Sequence, residues 1–289
     1  MDAWPQPKTD PMDRARRHIE DNLDSRLDLN VVADAAGLSP YHFSRLFTAR
    51  YGLSPIAYVR VRRLEAAAGQ LRSGPRTRLI DLALDWGFDS QEGFTRAFTR
   101  TFGIAPGRYR DGVRPPRTEQ LVMRTEGLPA TNLTQAPAPA KKPALRIAGL
   151  GQDFDETTVA GIPALWDQFG PRLPLPGQVG RGTFGVCCAR PDGQGLHYIA
   201  GVALAADAEP PPGCEVIELP ARSYLVFRQV LDGGPLHPQM QSAVREIWGD
   251  RVPNCGLSLV RAPDLEVYPD LFQPDRPGAW VEWWIPVEG

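Results

Sequence analysis

Two arginines, Arg45 and Arg96, occupy matching positions in two repeated stretches of the chain, 51 residues apart. The residues that match at this spacing are Phe43, Arg45, Phe47, Thr48, Gly52, Pro55 and Tyr58 with Phe94, Arg96, Phe98, Thr99, Gly103, Pro106 and Tyr109. On a helix, the aromatic residues of each stretch form one apolar stripe, and both arginines fall outside it. A guanidinium at such an outward position can donate hydrogen bonds to a ligand.

Each of the two stretches has the pattern of a helix, a sharp turn and a second helix. In the first, Asp28 can cap a short helix, and Gly37 can supply the positive φ of a tight turn. Thr77 and Gly87 take the same roles in the second stretch. The chain therefore contains two predicted helix-turn-helix units.

A longer helix over residues 54–73 joins the two units and would fix their separation. An α-helix fits the major groove of DNA, and two on one face can enter successive grooves about 34 Å apart. Residues 11–112 hold 16 Arg, no Lys and 12 acidic residues, a charge of +4 on a chain of net charge −2. The alternative is a helical bundle in which the repeat only builds a core, but it gives the paired outward arginines no role.

Residues 11–112 resemble the DNA-binding domain of the AraC/XylS family of transcription regulators. The motifs that carry the resemblance are VADAAGLSPYHFSRLF, GLSPIAYVRVRRLEAA and LALDWGFDSQEGFTRAFTRTFGIAPGRYR. The resemblance implies two recognition helices, near 40–50 and 90–101, that read one asymmetric DNA site. Carried over residue by residue, it gives the base-edge candidates Tyr41, Arg45, Gln91, Thr95 and Arg96.

The charged residues of this domain leave alternatives open. Arg45 or Arg96 could contact a phosphate rather than a base. Glu92 departs from the uncharged residue common in related proteins; its carboxylate would be repelled by phosphate, or could accept from cytosine N4. The remaining arginines are assigned to DNA backbone contact or to solvation: Arg60, Arg62, Arg63, Arg108 and Arg110.

The chain changes character after residue 112. Residues 113–143 are rich in proline, and the APAPA stretch predicts a semi-extended linker. The segment EQLVMRT (119–125) could form a short strand, and the domain to which it belongs is left open.

Residues 144–289 have an α+β pattern. Seven segments rich in β-branched and aromatic residues predict strands, and helices are expected near 157–169 and 236–248. A weaker repeat indicates two strand-helix-strand-strand units with a concave surface between them. The predicted fold is therefore an all-α double helix-turn-helix domain followed by an α+β domain of duplicated strand-helix-strand-strand units.

Glu266 is the candidate for chemistry in this second domain. In LEVYP (265–269), strand alternation puts Leu265 and Val267 on one side and Glu266 and Tyr268 on the other. A carboxylate among aromatic rings would favour a cationic or hydrogen-bonding guest, because an unpaired buried charge is costly and aromatic faces attract cations. The alternative is a surface carboxylate on an edge strand, or one paired with arginine.

Residues 144–289 resemble the GyrI-like effector-binding domain, through the motifs ELPARSYLVFR, REIW, PDLEVY and WIPV. The resemblance implies a small-molecule pocket lined by Glu266. Trp166 and Trp248, at equivalent positions of the weaker repeat, are assigned mainly to core packing. The ligand-binding candidates are Glu266, Tyr268, Tyr224, Trp283 and Trp284. Of these, Tyr224 and the two tryptophans could belong either to the core or to the pocket wall.

Together, these features predict a transcription regulator that binds double-stranded DNA and a small-molecule effector of lipophilic or cationic character. The alternatives are a second domain that docks a partner such as RNA polymerase or a second copy, and a hydrolase acting through Glu266. No enzyme is expected, since the sequence shows no nucleophile-His-Asp set, phosphate loop or metal cluster.

No cofactor, bound metal or membrane contact is expected. Cys187 and Cys188 are adjacent and would point to opposite faces of a strand, which is unsuitable for chelating one metal ion. No apolar run approaches the ~18 residues that span a bilayer, and the first residues lack the apolar core of a signal peptide. A cytoplasmic protein is therefore predicted.

Overall fold

The computed structural model describes residues 10–25, 27–38, 40–73, 77–113, 131–133, 137–155, 158–190 and 195–289. The chain divides into two compact units, Met1–Thr125 and Glu126–Gly289. The EQLVMRT segment lies outside the described residues.

The first unit is helical. Its helices are α1 (Pro11–Asp21), α2 (Leu29–Ala36), α3 (Pro40–Tyr51), α4 (Pro55–Ser73), α5 (Leu79–Asp85), α6 (Gln91–Phe102) and α7 (Pro106–Arg110). Asp28 caps α2 as predicted, because its carboxylate accepts from Asn30 N at 2.8 Å. The cap predicted at Thr77 is wrong: α5 begins after Arg78, whose guanidinium pairs with Asp81 at 2.7 Å.

The sequence repeat is also a repeat of side-chain geometry. The ring centroids of Phe47 and Tyr58 lie 5.3 Å apart at 78°. Their equivalents, Phe98 and Tyr109, lie 5.4 Å apart at 75°. The same aromatic contacts therefore fix the second helix of each pair.

The turn inside each helix pair depends on a glycine. Gly37 and Gly87 adopt φ values of 73° and 72°, in the left-handed region where a side chain would be strained. The amide of the residue after each glycine donates to the carbonyl five residues earlier, at 3.0 and 2.9 Å. Both predicted turns are confirmed.

Helix α4 contacts both helix pairs. Leu64 is buried in the core of the second pair. Toward α1, Arg62 Nη2 donates to Glu20 Oε2 at 2.9 Å, and Arg63 Nε donates to the carbonyl of Leu23 at 2.9 Å. These contacts correct the assignment of Arg62 and Arg63 to DNA backbone or solvent, because the fold itself uses both guanidinium groups.

The second unit combines an antiparallel sheet with helices. Its elements are β1 (Ala138–Lys142), β2 (Leu145–Phe154), α8 (Ile162–Phe169), β3 (Gln178–Ala189), β4 (Leu196–Leu204), β5 (Glu215–Leu219), β6 (Arg222–Val230), α9 (Leu236–Glu246), β7 (Asp264–Tyr268) and β8 (Trp280–Pro286). The strand order is β1-β6-β8-β7-β3-β4-β2-β5. β5 and β6 lie near opposite ends of this order, yet only two residues separate them in the chain, so the sheet curls.

The predicted linker over 113–143 ends earlier than expected. Residues Ala138–Lys142 pair with β6 as the edge strand β1, with Ala138 opposite Val226. Pro139 is tolerated there because one side of an edge strand needs no N–H donor. The proline-rich composition pointed to a linker, but these residues form the edge of the sheet.

The two faces of the sheet contact different partners. Cross-strand partners share a face, and Glu266 on β7 pairs with Trp283 on β8. This face, called the helix face, packs against α8, where Trp166 lies 5.4 Å from the Tyr268 ring. The other face, called the inner face, carries Trp284, and side chains from β2 to β8 form one apolar cluster on it.

Candidate functional site

The predicted recognition helices correspond to α3 and α6. Arg45 in α3 is half-buried and Arg96 in α6 is exposed, so neither arginine is lost to the core. On α6, Gln91 is exposed and Thr95 is half-buried. Tyr41 lies in α3, but its side chain is outside the described part of the chain. The candidates whose side chains are described all reach the surface.

Arg96 is paired with a carboxylate on its own helix. Its Nη1 contacts Oε1 of Glu92, one turn earlier in α6. Ser90 caps the helix by accepting from Gly93 N at 3.1 Å, which places Glu92 in the first turn. A carboxylate is favoured there by the positive end of the helix dipole. Arg96, an exposed arginine of α6, is therefore held by an acidic neighbour in the free protein.

A cleft of about 670 Å³ opens beside α6 within the helical unit. Arg96, Arg60 and Arg100 line it, and the last two are exposed. Apolar side chains, including Val32 and Ile56, form part of its wall. Exposed guanidinium groups at such a concave surface can donate to phosphate oxygens.

Glu266 lies on the helix face of β7 and is only 9% exposed. Its Oε2 accepts hydrogen bonds from the hydroxyls of Tyr198 and Tyr268, both at 2.7 Å. Trp166 Nε1 donates to Tyr198 Oη at 3.0 Å, which extends the network to α8. Such donors replace the water that a buried carboxylate has lost. The alternative of a surface carboxylate is excluded by this burial.

Aromatic rings surround this network. Trp166 packs edge-on against Tyr268 at 77°, and Phe272 lies 5.0 Å from the same ring. Burial raises the pKa of Tyr198 and Tyr268 well above its usual value, and the charge of Glu266 raises it further. Both hydroxyls therefore stay protonated and act as donors to the carboxylate.

Gly185 on β3 makes room for the network. It is the cross-strand partner of Glu266 in the β3–β7 pair. A Cβ atom at this position would overlap Tyr198 Oη and lie 2.7 Å from Glu266 Oε2. The missing side chain therefore lets the Tyr198 hydroxyl reach the carboxylate.

The five predicted ligand-binding residues lie on two faces of the sheet. Glu266, Tyr268 and Trp283 share the helix face, where the Trp283 indole donates to a buried glutamine at 3.1 Å. Tyr224 and Trp284 lie on the inner face with ring centroids 5.7 Å apart. Because successive strand residues alternate, Trp283 and Trp284 do not face a common pocket on one side of the sheet.

Sequence reasoning did not find Trp166, Tyr198 or Gly185. Trp166 packs against a core cluster of the second unit, as predicted, and its half-buried indole is also hydrogen-bonded to Tyr198, which the prediction did not include. Trp248 is fully buried, as predicted. Tyr198 lies in LHYIAGVAL, where apolar residues on both faces hide the direction of its hydroxyl. The hydroxyl of a tyrosine in an otherwise apolar strand needs a hydrogen-bond partner, and this is the sequence signal that could have identified Tyr198.

In the ranges that the structure covers, no helix is long and apolar enough to cross a bilayer. Over the same ranges, His, Cys, Asp and Glu side chains form no group that could hold a metal ion.

Comparison with known proteins assigns the two units to families. Residues 32–112 match the family model of a helix-turn-helix domain, and residues 140–288 match that of a GyrI-like small molecule binding domain. The second match alone covers about half of the chain.

Curated relatives match the first unit. The Transposon Tn10 TetD protein of Escherichia coli is 44% identical over 92 residues, which are 32% of this chain and 66% of TetD, just under two thirds of its length. The HTH-type transcriptional activator AarP of Providencia stuartii is 38% identical over 92 residues, which are 32% of this chain and 67% of AarP.

A solved structure, that of SAV2435 bound to tetraphenylphosphonium, is similar over 53% of this chain and 94% of that chain, with 21% identity and a TM-score of 0.45.

The two family matches and the geometry of the two units together assign the protein to its families. The chain belongs to the GyrI-like small-molecule-binding family through its second unit and to the AraC-type helix-turn-helix family through its first.

Proposed function

We propose that this protein is a cytoplasmic, sequence-specific DNA-binding transcription regulator whose second unit binds a lipophilic or cationic small molecule at Glu266. The repeated helix-turn-helix geometry and the surface positions of Arg45 and Arg96 support the first half of the proposal. The relative AarP is named a transcriptional activator, which fits the same role.

The observation that carries the ligand half is the buried carboxylate. Glu266 is 9% exposed and is surrounded by rings, including those of Trp166 and Tyr268. A cation at this site would gain a Coulombic attraction that burial strengthens, together with attraction to the ring faces. An anion of the same shape would be repelled, and a neutral molecule would gain only the ring contacts.

The ligand proposal is tested by calorimetric titration of the full chain with two ions of the same shape and opposite charge, tetraphenylphosphonium and tetraphenylborate. We expect the phosphonium to bind at least about tenfold more tightly than the borate, a difference of about 1.4 kcal/mol. Glu266→Gln should remove this preference. Glu218→Gln, at an exposed carboxylate of β5, should keep it.

Equal binding of the two ions, or a preference that survives in Glu266→Gln, would contradict the assignment. If neither ion binds, the second unit is better explained as a docking module for RNA polymerase or for a second copy of the chain. The proposal gives Glu266 a binding role; turnover of bound phosphonium, lost in Glu266→Gln, would instead make the unit an enzyme.

We also propose that the second unit consists of two copies of one strand-helix-strand-strand unit. The supporting observation is that β2-α8-β3-β4 and β6-α9-β7-β8 follow the same order in the chain. In the sheet, the strands of the two sets are arranged as β2-β4-β3 and β6-β8-β7, and they meet at the β3–β7 pair. Gly185 and Glu266 would then face each other on the seam between the copies.

A further inference from the structure

The two helix pairs differ at one outward position of their second helices. At the repeat spacing of 51, Arg45 of α3 corresponds to Arg96 of α6, and Tyr41 corresponds to Glu92. Only in α6, therefore, does a carboxylate stand one turn before the arginine that the two repeats share. This carboxylate is ion-paired to Arg96 in the free protein.

The Glu92–Arg96 pair is arranged so that it can open. The side chains of Glu92 and Arg96 are 78% and 69% exposed, so water and salt screen their attraction and the pair separates at little cost. Neither side chain supports the core, because the buried residues of α6 are Phe94, Ala97 and Phe98 on the other side of the helix. The pair is therefore available to rearrange when α6 meets a ligand.

Glu92 would distinguish base pairs when α6 enters a major groove. A carboxylate only accepts hydrogen bonds, whereas most groove-edge atoms of the bases are acceptors themselves. The donors are the amino groups of cytosine and adenine, and every base pair carries one of them in the major groove, so a carboxylate distinguishes the orientation of a pair. An orientation that turns guanine or thymine toward Glu92 would leave a dehydrated charge unpaired, near the repelling phosphates.

We propose that Glu92 is a specificity-determining residue of the regulator. It makes α6 select cytosine or adenine at the position beside a guanine that is bound by Arg96. This inference rests on the proposed DNA-binding function. Four residues of helix rise about 6 Å, and base pairs stack about 3.4 Å apart, so the two contacts fall within about two base steps. The carboxylate lowers the affinity for duplexes with the wrong base at this position, and it does not raise the affinity for the right one.

The test is selection of duplexes from a random library by the full chain, comparing the wild type with Glu92→Gln and Glu92→Ala. The wild type should select a motif with two halves. Glu92→Ala should lose the preference at one position of one half, by about tenfold, and keep the other half. Glu92→Gln should shift that position toward adenine, which glutamine can bind through two hydrogen bonds. Both variants should bind random duplex severalfold more tightly than the wild type, because a negative charge has been removed.

Glu65→Gln is the matched control. Glu65 is 46% exposed on α4 and is paired with Arg62, so the substitution makes the same change in charge at another exposed ion pair. It should leave the selected motif unchanged. Thermal unfolding of each variant checks that the helical unit stays folded, as expected for exposed positions.

Several outcomes would overturn the inference. Wild-type and Glu92-variant motifs that superimpose would remove Glu92 from recognition. A uniform loss of preference along the motif, or the same change in Glu65→Gln, would show a net-charge effect alone. A wild-type chain that selects no motif would overturn the proposed DNA-binding function as well. If the wild type selects a motif, the DNA-binding function is supported whether or not the variants change that motif.

Discussion

Gly185 and Glu266 face each other across the β3–β7 pair, and a methyl group at 185 would occupy the position of the Tyr198 hydroxyl. Gly185→Ala should therefore displace that hydroxyl and leave the buried carboxylate with one fewer donor. We expect the free energy of unfolding of the second unit to fall by about 1–3 kcal/mol, as measured by urea denaturation. Binding of tetraphenylphosphonium should weaken in the same variant.

Gly170→Ala is the control for this prediction. No atom lies within 4 Å of a Cβ built at Gly170, and its φ of −49° is helical, so alanine fits without strain. Its stability should equal or slightly exceed that of the wild type. A Gly185→Ala protein as stable as Gly170→Ala would show that the close approach at 185 is unimportant.

His197 on β4 makes the stability of the second unit depend on pH. Its Nδ1 lies 2.7 Å from Asp153 Oδ1, and its Nε2 lies 2.8 Å from Glu215 Oε2. Burial lowers the pKa of His197, but the hydrogen bonds to Asp153 and Glu215 and the negative charges of these two groups together raise it by more, so the pKa lies above its usual 6.5. The folded protein therefore holds this proton more tightly than the unfolded chain does.

A raised pKa contributes stability that is complete below about pH 6.5 and is lost as the pH rises through the folded value. We expect the free energy of unfolding to decrease over the pH range above 6.5, and His197→Gln to remove this part of the decrease. Urea denaturation at a series of pH values measures both. Parallel curves for the wild type and the variant would refute the assignment.

At the residue scale, alternation along a strand predicted the side of the sheet that Glu266 and Tyr268 share. It could not predict that Tyr198 and Gly185 come to the same place, because they lie on other strands and alternation says nothing about which strands pair. Alternation also puts Trp283 and Trp284, which are adjacent on β8, on opposite faces, so the two cannot both line the pocket that was predicted for them.

The turn glycines govern how each helix pair is formed. Gly87 has a φ of 72°, and a Cβ atom there would lie 2.5 Å from Arg63 Nη1. Gly87→Ala should lower the free energy of unfolding of the helical unit by about 1 kcal/mol or more, since it adds backbone strain and disturbs the contact of α4 with the turn. Thermal or urea unfolding followed by helical circular dichroism measures this loss.

Gly107→Ala serves as the reference substitution. Gly107 lies in α7, and no atom lies within 4 Å of a Cβ built there. Alanine should be neutral or slightly stabilising at this position, because it forms helix more readily than glycine. Equal stability of the two alanine variants would contradict the role given to Gly87.

At the element scale, periodicity and capping predicted the helices of the first unit, because local interactions decide them. The cap at Thr77 was wrong because the bidentate Arg78–Asp81 pair stabilises a later start of α5. The edge strand β1 was missed because a proline such as Pro139 is compatible with an extended linker and also with an edge strand. The strand order of the curled sheet was beyond prediction, because it depends on pairings distant in the chain.

At the scale of the whole molecule, the sequence repeat and the family motifs predicted two units with separate roles. The basic charge of residues 11–112, on a chain of net charge −2, indicated which unit meets DNA. The sequence marked Glu92 as a departure from related proteins, but it could not show that Glu92 is ion-paired to Arg96. Arg45 is half-buried, whereas Arg96 is exposed and ion-paired to Glu92, so the two halves of a site would be read differently.

The most direct measurement of the DNA-binding claim compares the affinities of the wild type, Arg45→Ala, Arg96→Ala and the double variant for a selected duplex and for random duplex at fixed salt. If both arginines contact bases, each single change should cost about 1–3 kcal/mol on the selected duplex and much less on random duplex. The two losses should add in the double variant, since the sites are separate. Equal losses on both duplexes would assign the arginines to phosphate contact, and a wild type that binds both duplexes equally well would contradict sequence-specific recognition altogether.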